Sequence, residues 1–352
     1  MRTKELFSQK AMKKGRENGC LIDIELPEQA KQTRRKFSEQ GQIYLFPESE
    51  LSAGINPVSA SKLKTYRGCA RAYKYKYVMH IPDKRCVPLL FGSALHTAIE
   101  RFWKNRPSLE DFLRWWNGGW ARATHSRHFL ENFVSNPDNN TKLPPEFYSS
   151  YNYYKSKGTE ILTNFHNKNK DAPEPFLVEK GFKIRFYDFI LRGKCDKVDV
   201  TPEGIVVTDY KSDKRHPAEV QLEYNYQFTI YDLALRHMLK NDFKFRSELK
   251  KWVGSDRKFK RIEKQGVANL VYYHLVSGEP LKTERRKMHA LDLLNEIIIA
   301  NRGVRNKDFR PFFSEWHCGY CGYVNTKCRE DGLEAVSIDN KAERWIDELY
   351  RV

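Results

Sequence analysis

Apolar residues fall at helical spacing over much of the chain. Leu63, Tyr66, Cys69, Ala70 and Tyr73 predict a helix that Ser59 or Ser61 can cap. Leu95, Ala98, Ile99 and Phe102 predict a second, opened by Phe91-Gly92-Ser93. Helical patches recur at 109–116, 120–133 and 147–165, with the polar run Ser135-Asn136-Pro137-Asp138-Asn139-Asn140 as a loop between them. Trp103, Trp115, Trp116 and Trp120 are expected to build a satellite core, so residues from about 105 to 170 read as a helical insertion.

Midway the period changes. Ile190, Val198 and Val200 mix with polar residues ahead of Thr201-Pro202-Glu203-Gly204, and Ile205-Val206-Val207 follows. Two β-branched runs around a Pro/Gly turn predict a β-hairpin. A turn centred between Pro202 and Glu203 sets Val200 opposite Ile205 and Asp196 opposite Asp209, with Lys211 on the face of Asp209. Residues 217–239 read as one helix carrying Val220, Tyr224, Ile230, Leu233, Ala234 and Met238, on which Gln227 and Tyr231 stand one turn apart. The segment 240–264 is strongly basic, either a phosphate-binding stretch or a solvated loop. A strand over 268–276 and a helix over 288–301 complete the pattern.

Composition narrows the class. With 352 residues, 40% of them hydrophobic, the chain can bury a substantial core. Its 62 lysines and arginines against 45 acids leave a net charge of +17, which points to a polyanionic partner. Charge alone does not choose between DNA, RNA and an anionic membrane. No apolar run approaches the roughly 20 residues that span a bilayer, so no membrane association is expected. The first twenty residues are basic and lack an apolar signal core, so the expected compartment is the cytoplasm. Residues 1–56 mix charged and polar types, with a basic helix at 28–38 as their one pattern, and read as an accessory or flexible arm.

The predicted hairpin poses a chemical problem. Two carboxylates facing each other on a sheet repel. Mg²⁺ or Mn²⁺ between Asp196 and Asp209 would remove that penalty, and Lys211 could orient a water and stabilise charge building on a phosphate. The alternative is a surface hairpin whose acids pair with Lys194, Arg192 or Lys211 in solvent.

Gly193-x-x-Asp196, Asp209-x-Lys211 and Gln227-x-x-x-Tyr231, preceded by Val178-Glu179, resemble the signature of RecB-like nucleases of the PD-(D/E)XK superfamily. The resemblance implies an α/β, restriction-endonuclease-like core with a mixed central β-sheet flanked by helices. It makes Asp196, Asp209, His96 of Phe91-Gly92-x-x-x-His96 and the backbone carbonyl of Tyr210 metal ligands, and Glu179 an outer carboxylate. Without it, His96 would be read as the edge of an apolar stripe. It makes Lys211 the residue that positions the attacking water, with Gln227 and Tyr231 beside the site. It implies a DNA nuclease, in expectation an exonuclease on single-stranded ends that works with a helicase or another recombination or processing protein.

Seven cysteines, an odd number, argue against a disulfide framework in so long a chain. Cys318, Cys321 and Cys328 cluster like metal ligands. With distant Cys69 they suit either tetrahedral Zn²⁺ or a cubane iron–sulfur cluster, and His317 could complete a zinc site locally. The run from Val58 to Tyr73, with Cys69 inside it, resembles the opening helix of the superfamily's iron–sulfur branch, which includes AddB-type helicase–nuclease proteins and CRISPR-adaptation nucleases. That resemblance implies a [4Fe–4S] cluster on Cys69, Cys318, Cys321 and Cys328. Ala70 stands where the branch has proline, and the last cysteine gap is six residues rather than five. Tyr73-Lys74-Tyr75-Lys76-Tyr77 reads either as a stacking platform for single strands or as tyrosines packed beneath exposed lysines.

The resemblance spans roughly 57–330, which gives a nuclease domain with a cysteine-rich closure at 309–328 and a C-terminal helical tail at 331–352. Two other readings stay open: a nuclease-like module that binds DNA without cutting it, and a zinc-dependent RNA-binding protein.

Overall fold

The computed structural model describes residues 54–83, 86–134, 143–213, 215–314, 318–319, 321–324 and 326–331. The expected N-terminal arm with its basic helix, His317 and the C-terminal tail lie outside the described residues, apart from the few arm residues from 54 onward and Asp331.

Five strands form one mixed sheet in sequence order. β1 (Leu177–Phe186), β2 (Phe189–Thr201) and β3 (Gly204–Lys211) are antiparallel neighbours. β4 (Val267–His274) runs parallel to β3, and β5 (Glu279–Thr283) returns antiparallel to β4. Helices pack on both faces, so the fold is α/β, as the resemblance implies.

The helices fall into three groups. α1 (Ala60–Gly68), capped by Ser59, leads into α2 (Ala70–Tyr73) and a π-helical turn at Lys74–Val78. Tyr73 and Tyr75 are buried there, so these two rings pack inward rather than offering a stacking surface. α3 (Val87–Asn105), α4 (Leu109–Thr124), α5 (Arg127–Leu130) and α6 (Pro145–Asn169) form a helical layer. α4 runs unbroken through Gly118-Gly119, where separate patches were expected, because Phe112, Trp116 and Trp120 bury one continuous face across the glycines. Trp116 and Trp120 stack at 5.6 Å. The third group follows β3: α7 (Glu219–Glu223), α8 (Tyr226–Asn241), α9 (Phe243–Val253) and α10 (Asp256–Gln265), with α11 (Lys287–Arg305) after β5 and α12 (Lys327–Glu330) in the closing segment. The basic stretch at 240–264 is therefore helical rather than a loop.

One predicted element is corrected. The single helix expected over 217–239 is broken at Asn225, whose side chain caps α8 by accepting from Gln227 N at 2.9 Å. Arg285 stabilises the break by donating to the carbonyls of Leu222 and Asn225 and to Thr229 Oγ1. Val220 and Tyr224, expected on the buried stripe, are consequently exposed.

Three cores hold the layers together. One lies between the sheet and α8–α10, around Val198, Val207, Leu235 and Leu270. A second unites α3–α6 with Tyr210 and Leu275 of the sheet's other face. The third joins α1, α11 and the outer half of the β1–β2 hairpin, and it reaches back to the fully buried Ile55.

Candidate active site

The β2–β3 turn sits at Pro202-Glu203, and the ladder follows the expected register from Thr201↔Gly204 to Lys197↔Thr208. Gly204 is required there: its φ is +133°, and a Cβ would meet Gly266 O at 2.7 Å. The pairing then stops one step short of Asp196 and Asp209, which were expected to face each other as a ladder pair. Instead Asp196 Oδ2 accepts from the backbone N–H of Tyr210 at 2.9 Å, taking the place of a ladder carbonyl.

The cause is a change of face within the strands. In β2 the residues packed toward α8 are odd-numbered through Phe189, Leu191 and Cys195, then even-numbered at Val198 and Val200. Cys195 and Asp196 are consecutive buried residues at the switch. β1 switches in the same row, from Leu177 to Phe182 and Ile184, and Glu179 between them has a left-handed φ of +54°. Such irregularities re-aim side chains beside active sites, and left-handed backbone at a glutamate is strained. Glu179, Asp196 and Asp209 thus occupy one row across three neighbouring strands.

Helices complete the row from both sides. α3 brings His96 Nδ1 to 3.4 Å from Asp196 Oδ2. Gly92, one turn earlier, lets α3 approach Ser212, since a Cβ there would lie 2.8 Å from Ser212 Oγ. The first turns of α8 supply Gln227 and Tyr231. Gln227 Nε2 donates to Asp209 Oδ1 at 3.0 Å and to Tyr231 Oη at 2.6 Å. Tyr231 Oη lies 3.0 Å from Asp209 Oδ1 and 2.8 Å from Lys194 O, so its one proton serves either acceptor. Lys211 Nζ stands 2.6 Å from Asp209 Oδ2 and donates to Gln227 Oε1 at 3.1 Å.

The electrostatics follow from burial. Burial raises the Asp196 pKa to about 8, assisted by the charge of Asp209. Burial lowers the pKa of His96, keeping its imidazole neutral and able to act as a ligand, although Asp209 works in the opposite direction. Burial also works to lower the Lys211 pKa, but Asp209 outweighs it and holds the ammonium charged.

A divalent cation fits these residues. Among the described residues, His96, Glu179 and Asp196 have ligand atoms within 4.8 Å of one another. Glu179 Oε2 and Asp209 Oδ2 are buried without an aligned hydrogen-bond donor, although Lys194 and Lys211 respectively pair with them by charge. Oxygens left in this state suit a hard cation. The structure therefore brings the side chains of His96, Asp196, Asp209, Lys211, Gln227 and Tyr231 together and moves Glu179 from the periphery into the compact group. Lys194, the counter-ion of Glu179, was legible only as a solvent partner for the acids; its place in Gly193-Lys194 was the one signal.

Residues 57–328 match the family description "PD-(D/E)XK nuclease superfamily". The chain belongs to this superfamily. A second similarity is to one of the subunits of the ATP-dependent helicase/nuclease of Streptococcus suis (strain 98HAH33), 26% identical over 175 residues. The alignment covers 48% of this chain and 13% of that protein, so this chain corresponds to a small part of its length. Nucleases of the PD-(D/E)XK superfamily use divalent metals such as Mg²⁺, in keeping with the donor set here. Fold, family and similarity together identify a nuclease domain. No helix among the described residues is long and apolar enough to cross a membrane.

The four cysteines lie apart from this row. Cys69 follows α1, and its Sγ accepts from Phe312 N at 3.5 Å. The closing segment docks on the first helices: Tyr323 packs edge-on against Tyr75 at 5.4 Å and donates to Ile81 O at 2.9 Å, while Tyr75 donates to Asp331. Burial pushes the Cys321 thiol pKa up, with Cys69 and Cys328 near enough to add to the shift. No three thiols among the described residues come within 4.8 Å of one another.

Proposed function

We propose that the chain is a divalent-metal-dependent deoxyribonuclease that hydrolyses phosphodiester bonds at single-stranded DNA ends. The observation that carries this reading is the buried acid row with Lys211 fixed 2.6 Å from Asp209. His96, Glu179, Asp196, Asp209 and the carbonyl of Tyr210 would hold Mg²⁺ or Mn²⁺. Bound there, the ion supplies Lewis-acid stabilisation of the charge on the phosphate under attack. Lys211, steadied by Asp209 and Gln227 Oε1, holds a positive charge toward the attacking water and the developing oxyanion. Tyr231 and Gln227 fix the Asp209 carboxylate so that its second oxygen faces the site.

The same reading places a [4Fe–4S] cluster on Cys69, Cys318, Cys321 and Cys328, tying the first helix to the closing segment. Cys69, whose Sγ lies against Phe312 N at the start of the closing segment, supports a four-cysteine set, and the resemblance of its helix to the iron–sulfur branch favours the cluster over Zn²⁺. Brown protein after anaerobic purification supports it; colourless protein holding stoichiometric zinc overturns it. Similarity to a protein named as part of a helicase/nuclease supports a helicase as partner. The decisive experiment follows end-labelled single-stranded DNA with Mg²⁺, with chelator, and with Asp209→Asn. Metal-dependent cleavage lost in Asp209→Asn is expected. A parent protein that binds DNA and never cuts it with either metal is instead the non-cleaving module.

A further inference from the structure

α10 carries more positive charge than its surroundings neutralise. Between Phe243 and Gln265, nine lysines and arginines stand against three acids. Each acid is already engaged: Glu248 with Lys180 at 3.9 Å, Asp256 with Lys250 at 2.9 Å, and Glu263 with Arg246. Arg257, Lys258, Lys260, Arg261 and Lys264 are exposed and have no ion pair among the described residues.

Four of these form a pattern. Arg257, Lys260, Arg261 and Lys264 recur at i, i+3, i+4 and i+7, on the side of α10 away from its buried Phe259 and Ile262. Neighbours on such a stripe are about 5–6 Å apart, and like charges at that spacing repel and weaken the helix. The one acid within the stripe's span, Glu263, turns to Arg246 on α9 instead of relieving them. A solvated face disperses both signs of charge, whereas this one concentrates a single sign.

The stripe is separate from the catalytic row. α10 ends at Gly266, whose carbonyl accepts from Ile205 N at 2.9 Å at the start of β3. Lys211 lies at the other end of that strand, six residues or about 20 Å away. None of the exposed side chains on α10 is aromatic, so the helix offers charge for phosphates and no surface on which unpaired bases could stack.

We infer that the α10 stripe is a second nucleic-acid surface that grips the phosphate backbone of duplex DNA away from the cleavage site. The inference goes beyond the nuclease reading, and its test is run without divalent metal, so the two fail separately. Full-length protein and the variant Arg257→Gln/Lys260→Gln/Arg261→Gln/Lys264→Gln are titrated onto a labelled duplex of about 30 base pairs at several salt concentrations. Each lost phosphate contact flattens the slope of log K against log salt by about 0.9, so the variant slope is expected to be shallower by about 3–4. The swapped variant Arg257→Lys/Lys260→Arg/Arg261→Lys/Lys264→Arg retains the parent slope. The paired variants Arg257→Gln/Arg261→Gln and Lys260→Gln/Lys264→Gln, each expected to lose about half as much, serve if the quadruple variant does not fold. An unchanged slope in folded variants overturns the inference. So does an equal loss on single-stranded oligo-dT, or binding to phosphatidylserine vesicles through the stripe with none to duplex DNA.

Discussion

Replacing Lys211 by methionine keeps the aliphatic stem and removes the charge, which isolates what the ammonium does. Lys211 Nζ lies 2.6 Å from Asp209 Oδ2, and the Asp209 side chain is only 1% exposed. Removing one partner of a buried ion pair costs about 3–5 kcal/mol. The lysine side chain is 27% exposed, and solvent screening reduces the figure to about 2–3 kcal/mol. At about 2–4 °C per kcal/mol, metal-free Lys211→Met is expected to melt about 4–12 °C below the parent. Mg²⁺ should recover more of that loss than it adds to the parent, because an uncompensated carboxylate attracts the cation more strongly. Cleavage moves the other way. Loss of one preorganised electrostatic donor removes about 2.7–4 kcal/mol of transition-state stabilisation, a hundred- to thousandfold slower reaction. Melting curves with and without Mg²⁺, set beside single-turnover cleavage of labelled single-stranded DNA, read both quantities. A variant that melts lower yet cleaves as fast as the parent at saturating Mg²⁺ would refute the role given to Lys211.

Asn225→Ala removes the cap of α8 and is expected to cost about 1 kcal/mol in denaturant titrations. It should also slow cleavage, since Gln227 sits in the first turn that the cap secures. Gly158→Ala sets a Cβ 2.0 Å from Trp116 Cζ2. The resulting overpacking of about 1–3 kcal/mol exceeds the roughly 0.5–1 kcal/mol gained by replacing a helical glycine, so a lower melting temperature is expected. Asp196, raised by burial and then by Asp209 from 3.8 to about 8, makes the metal-free fold favour the protonated carboxyl. That stability is complete below the unfolded pKa and is lost as pH rises toward 8. Melts in chelator from pH about 4 to about 9 should show the decline, and Asp196→Asn should flatten it. Cys69→Ser is expected to lose the brown colour and destabilise the contact between the first helix and the closing segment, read by absorbance and proteolysis.

Much of the hairpin was legible because its determinants are local. The turn residues fix the register, and the register places Lys211 beside Asp209. The tryptophan-rich helical layer followed from periodicity for the same reason, and the α/β class followed from the resemblance carried by the hairpin and helix motifs. The change of face at Glu179 and Asp196 was not legible, because it depends on two strands departing from alternation in the same row. The break at Asn225 was hidden too: the apolar stripe runs through it, and the group that stabilises it, Arg285, is sixty residues downstream. Gly118-Gly119 misled in the opposite sense, since the intrinsic cost of two glycines was overridden by the tryptophans packed on either side.

Tyr210 sits between Asp209 and Lys211, and its ring points to the far side of the sheet, where Trp103 Nε1 donates to its hydroxyl at 2.8 Å. The strand that bears the acid and the lysine is thereby moored at Tyr210 to the helical layer behind it. Anything that tilts those helices, whether a docking protein or a strand threading past them, pulls on the chemistry without touching it. The layer that carries His96 is in this way linked to the acid and the lysine as well.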